Sequence, residues 1–139
     1  MNYELLFLIL RNQYYLFTKT IKAMKRENVI REKSFKFAIR IINLYKLLIN
    51  ERKEFILSKQ LLRSGTSVGA NVRESMNAES NADFVHKLAI AQKECDESCY
   101  WLELLSNTGF IHETEFNSIN TDALELLKII RSIILSSKK

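Results

Sequence analysis

Proline is absent from this chain of 139 residues, and only three glycines and two cysteines occur in it. Collagen-like, proline-rich and glycine/serine-linker readings are excluded, and nearly every turn must be built from other residues. Two cysteines do not make a disulfide framework, and nothing else points to an oxidising compartment. No apolar run approaches the roughly 18 residues that a membrane span needs. What is present is an apolar fraction of 47%, enough to bury a core and to argue against disorder along the whole chain. The length suits one domain and leaves little room for two. These features predict a soluble, mainly helical, cytoplasmic protein and leave its activity open.

The net charge of +5 conceals a segregation. Met24 to Thr66 carries eleven basic and four acidic residues, a balance of +7, whereas Glu74 to Glu125 carries two and eleven, a balance of −9. Residues 126–139 add four positive charges and no negative ones. Two readings follow from this pattern. Neighbouring helices of opposite sign attract one another, or a basic surface meets a polyanion.

Hydrophobic periodicity marks four helical segments. Ser34 reads as the N-cap of the first, which runs to about Lys53 with apolar residues at Phe35, Ala38, Ile41, Ile42, Tyr45, Leu48 and Ile49. Arg40, Lys46 and Arg52 fall off that stripe and are expected in solvent. The second segment spans roughly Glu54 to Ser75 and has two organised faces. One is apolar (Leu57, Leu61, Gly65 or Ser64, Val68, Val72) and one polar (Gln60, Arg63, Ser67, Asn71, Glu74), both at heptad-like spacing. Its run SGTSVGA, from Ser64 to Ala70, is nearly all small. Glycine inside a helix costs about 1 kcal/mol against alanine, so the run either permits close backbone approach or breaks the helix into a loop. It is not a phosphate-binding loop, because Gly65 and Gly69 are too close together and no lysine follows.

The third helix is expected from about Asn81 to Ser106, with Phe84, Val85, Leu88, Ala91, Cys95, Cys99, Leu102 and Leu105 along its apolar face. Gly109 supplies a left-handed stop. The fourth starts near Thr114 and carries Phe116, Ile119, Ala123, Leu126, Leu127, Ile130, Ile133 and Ile134. Short connections between long amphipathic helices predict an all-α fold, an antiparallel up-down-up-down four-helix bundle over residues 24–139. Residues 1–23 read as an extension. Glu4 precedes their apolar stretch, unlike a secretory signal, and MKRENVIREKSF from Met24 reads like a natural amino terminus. The expectation is that translation starts at Met24.

Constellations that carry chemistry are weak. Cys95 and Cys99 lie one turn apart, but His86 and His112 are poorly spaced to complete a metal site, and two cysteines on an apolar stripe are usually small core residues. His86 has no local nucleophile. Glu94 and Glu97 lack the Glu-x-x-His motif of di-iron bundles. No catalytic residue, metal ligand or cofactor is therefore expected. Tyr100 and Trp101 border the apolar stripe, as packing at the bundle edge or as interface anchors.

The segment QLLRSGTSVGANVRES, Gln60 to Ser75, resembles the signature of the small four-helix bundle proteins encoded within 23S rRNA intervening sequences. The likeness continues through NADFVHKLAIAQKECDESCYWLELL, Asn81 to Leu105, and the NTGFI turn, and runs from about Met24 to the end of the fourth helix. Many relatives carry glycine where this chain has Ser75. The resemblance implies an antiparallel bundle assembled into a ring, a homopentamer in related proteins, with no established enzymatic activity. It also implies kinship with the accessory protein of diversity-generating retroelements, a basic ring that binds nucleic acid and a reverse transcriptase. Gln60, Arg63, Ser67, Asn71 and Glu74 match signature positions and either fix helix or subunit register or contact RNA.

Three function classes follow. A nucleic-acid-associated oligomer would use Lys25, Arg26, Arg31, Lys33, Lys36 and Arg40 against RNA or DNA phosphates, with repetition around a ring multiplying a modest patch. A protein-interaction scaffold, or accessory subunit of a nucleic-acid-processing enzyme, would offer its acidic third helix to a basic partner. An enzyme would need a convergent polar site. No membrane partner is expected. The first class is favoured.

Overall fold

A computed structural model describes residues 2–138. Four helices, α1 (Tyr3–Asn50), α2 (Leu57–Ser75), α3 (Asn81–Asn107) and α4 (Glu113–Ser137), make an all-α fold, with no strand among the described residues. Each helix packs on its chain neighbours and α1 also packs on α4, which closes a ring of four around one core. Contacts across α1 and α4 pair Arg26 with Ser132, Lys33 with Glu125 and Arg40 with Asp122, rising along one helix as they fall along the other. The same order holds between α2 and α3, where Ser64 meets Ser98 and Glu74 meets Lys87.

The first helix departs most from expectation. It starts at Tyr3, with the Asn2 side chain accepting from the Glu4 N–H, and runs unbroken for 48 residues, about 72 Å at 1.5 Å per residue. Ser34 is not an N-cap. It is buried inside the helix, where its hydroxyl donates to the Arg31 carbonyl at 3.1 Å. The buried stripe of α1 is accordingly Ile30, Ser34, Phe37, Ile41, Leu44 and Leu48. Phe35, expected inside, is 51% exposed and lies under the Arg73 guanidinium, 5.3 Å from its ring centre.

The expected faces of the other helices stand with small changes. α2 continues as helix through the small-residue run and buries Ser58, Leu61, Ser64, Gly65, Val68, Val72 and Ser75. A Cβ on Gly65 would lie 2.7 Å from Ile41, so this glycine lets α1 and α2 approach. Glu54 is not in the helix but caps it: its carboxylate accepts from the N–H groups of Ile56, Leu57 and Ser58 at 2.6–3.1 Å. On α3 the core position between Cys95 and Leu102 is taken by Ser98, whose hydroxyl donates to Ser64 Oγ at 2.9 Å. The chain turns after α3 at Gly109, φ +81°, as its sequence position predicts. Arg52, expected in solvent, is half-buried and donates to the Phe110 carbonyl and to both oxygens of Glu115. It ties the α1–α2 loop to the α3–α4 turn. Among the described residues no buried side-chain nitrogen or oxygen lacks a hydrogen-bond partner.

Candidate nucleic-acid interface

The six cations predicted to form a basic surface do not all remain available. Lys33 pairs with Glu125 at 2.9 Å, Lys36 with Glu32 one turn earlier at 2.7 Å, and Arg40 with Asp122 at 2.7 Å while also donating to Ser118. Hydrogen bonding to Glu125 holds the Lys33 ammonium above its ordinary range. Arg31 is exposed on α1, without an ion pair among the described residues.

Lys25 and Arg26 sit differently. With Lys22, and with Lys128 from α4, they line an open groove of about 460 Å³ floored by Val29 and Ile129. Arg26 is oriented by Ser132 at 2.7 Å and Ser136 at 3.3 Å, two hydroxyls that direct the guanidinium without neutralising it. No carboxylate lines the groove among the described residues. The helical register explains the gathering: residues 22, 25, 26 and 29 share one face of α1 by their three- and four-residue spacing. Lys22 and Lys128 were not among the predicted residues. The four positive charges of residues 126–139 were the available signal, but only the fold brings that end of α4 beside α1.

The polar stripe of α2 faces α3. Arg63 forks between Glu94, 3.2 Å away, and Glu97, with which it forms a close ion pair. The Trp101 indole donates to the same Glu97 carboxylate at 3.1 Å. Hydrogen bonding to Arg63 holds the Glu97 carboxyl below the usual carboxylate range. Ser67 donates to the Arg63 carbonyl, Asn71 to the Ser67 carbonyl, and Glu74 pairs with Lys87 at 3.1 Å. Gln60 is exposed at the start of the stripe. The Tyr100 and Trp101 rings lie 5.0 Å apart on the rim, tilted by 56°, with Tyr100 55% exposed. The Cys95 thiol is buried and donates to the Ala123 carbonyl, and its contact with Cys99 together with burial pushes its pKa up. Among the described residues no group of three or more His, Cys, Asp or Glu side chains is placed to hold a metal. None of these helices is long and apolar enough to cross a membrane.

Residues 26–132 match the model of the 23S rRNA-intervening sequence protein family. The chain belongs to that family. A 23S rRNA-intervening sequence protein is thus laid over all four helices, from the lower part of α1 to Ser132 of α4. The family member is also similar to a solved protein of unknown function from the S23 ribosomal protein family of Bacteroides thetaiotaomicron. The two share 56% identity with a TM-score of 0.78, over 78% of this chain and 97% of that one. No curated protein matches.

Proposed function

We propose that this family member is a non-catalytic, oligomeric bundle of the cytoplasm that binds nucleic acid through the phosphate backbone, at the groove between α1 and α4. One observation carries the reading: Lys22, Lys25, Arg26 and Lys128 converge on a groove whose lining holds no carboxylate among the described residues. Such a surface attracts a polyanion by releasing its counterions and reads little sequence. Repetition of the groove around a ring, a pentamer by family resemblance, raises a modest patch to useful affinity through effective concentration. The kinship with the accessory protein of diversity-generating retroelements that the sequence resemblance implies supports this reading. The scaffold reading is weaker, because the acidic face of α3 is largely engaged, with Glu94 and Glu97 on Arg63 and Asp96 3.8 Å from Arg131.

The test is a titration of the protein with structured RNA and with duplex DNA across salt. The expected log–log slope corresponds to several released counterions, and Lys22→Ala with Lys128→Ala reduces it by about two on duplex DNA. Lys36→Ala, whose partner is Glu32, leaves the slope in place. Absence of binding at about 0.1 M salt would overturn the proposal and leave the scaffold.

A further inference from the structure

The upper half of α1 stands clear of the bundle. The first buried apolar residue is Ile30, and the side chains before it include Tyr3, Phe7, Leu10, Tyr14, Phe17, Ile21 and Met24, each 49–86% exposed. Those seven are spaced by four, three, four, three, four and three residues. That alternation is the seam of a coiled coil, in which each side chain fits between four of a facing helix. It is not the core stripe of the bundle prolonged. The core stripe, followed backwards from Ile30, meets Ala23, Lys19, Leu16, Asn12 and Leu5, a mixed face, and the seam lies roughly 160° round the helix from it at 3.6 residues per turn. The seam carries no charge and has nothing from α2, α3 or α4 against it among the described residues.

We infer that the seam of α1 residues 3–24 pairs with the same segment of a second copy of this chain, in the opposite direction. Self-pairing suits a line of apolar side chains that is its own complement. Charge sets the direction. Glu4, the sole acid of the segment, flanks the seam beside Tyr3 at one end, whereas Lys25 flanks it beside Met24 at the other. Parallel pairing leaves Glu4 and Lys25 at opposite ends of the seam. Antiparallel pairing, with Tyr14 opposite Phe17, Leu10 opposite Ile21 and Phe7 opposite Met24, sets Glu4 beside Lys25 of the second copy at both ends, and flanking charges of this kind select orientation. The overlap runs for about 33 Å, three heptads, and at these exposures it reaches the lower end of a standard interface, roughly 1,200 Å² in total. The seam points away from α4, so the paired helix does not fill the groove, which keeps Lys22, Arg26 and Lys128.

The experiment compares the full chain with its Leu10→Glu/Phe17→Glu variant by light scattering at equal protein concentration. The expected particle mass of the full chain is twice that of the variant, whatever number of bundles assembles on its own, and the thermal melting of the two is the same. Lys25→Glu weakens pairing several-fold, and Glu4→Lys added to it restores most of the loss. Equal masses for full chain and variant would overturn the inference, and failure of the charge exchange would overturn the antiparallel direction. Vesicles of phosphatidylcholine and phosphatidylglycerol provide the competing outcome: a full chain that floats with them and does not double its mass uses the seam against lipid. RNA titration of the variant keeps this result separate from the groove. A half-mass variant that still binds RNA supports pairing while leaving groove binding untouched.

Discussion

At the scale of single residues, two glycines of α2 make opposite predictions. A Cβ on Gly65 meets Ile41 Cγ1 at 2.7 Å and Cγ2 at 2.8 Å, atoms of a stiff β-branched side chain that is fully buried. Gly65→Ala is expected to lower stability by about 1–3 kcal/mol, against a helix-propensity gain near 1 kcal/mol. A Cβ on Gly69 meets nothing nearer than the Ser34 carbonyl at 3.4 Å, so Gly69→Ala is expected to be neutral or to stabilise by up to about 1 kcal/mol. Denaturant unfolding of the two variants checks both signs. Glu54 adds a pH dependence. Burial pushes its carboxyl up, but three backbone N–H donors at the start of α2 outweigh this and hold it below its ordinary value of 4.5. A carboxyl depressed in the folded state contributes stability above its unfolded pKa, and that contribution is lost as pH falls through the folded value. The melting temperature is therefore expected to fall as pH drops below about 4.5. Glu54→Gln should flatten that decline and lower stability by about 1 kcal/mol at neutral pH, the usual worth of a helix cap.

At the scale of elements, the charge segregation resolves mostly into attraction between helices. Seven of the eight ion pairs among the described residues join different segments of the chain: Lys33, Arg40 and Arg52 reach α4, Arg63 and Lys87 bridge α2 and α3, and Arg131 reaches α3. Most are well exposed, so each is worth little. A double-mutant cycle on Arg63 and Glu97 is expected to give a coupling of about 0.5–1 kcal/mol, the upper value reflecting the added Trp101 donor. The boundaries of α3 and α4 were legible to within a residue or so because their apolar stripes are long and Gly109 punctuates the turn between them, whereas α2 starts three residues later than expected, after the Glu54 cap. The start of α1 was not legible. Ser34 interrupts the stripe Ile30–Phe37–Ile41 with a polar residue, which makes the periodicity seem to begin there. Its hydroxyl is satisfied by the Arg31 carbonyl, so it can be buried in mid-helix.

At the scale of the whole molecule, two surfaces remain for partners, and they meet at Lys25. The α1/α4 groove presents cations to a polyanion, and the seam of residues 3–24 presents apolar side chains to a second helix. Added salt is expected to release RNA from the groove while barely changing a particle held by an apolar seam, since screening acts on charges and salt does not weaken apolar burial. Light scattering and RNA titration across one salt series check the contrast. Half of the groove was legible in the sequence as Lys25 and Arg26, both on one helical face. The other half, Lys22 and Lys128, was not: the first lay in a stretch read as an extension, and the second sits about a hundred residues further along the chain.

The sequence by itself determined the helices, because period and capping are local properties of neighbouring residues. It determined most of the core and the family as well, through apolar stripes and the run from Gln60 to Ser75. It also held the seam of α1, although apolar residues on the other faces of Leu5–Leu10 mask the four-three spacing. Only the tertiary structure decided which cations are left free. That outcome depends on which carboxylates the packing of α4 on α1 and of α2 on α3 brings within about 4 Å, the reach of an ion pair, and distance between helices is not written in the spacing along either one.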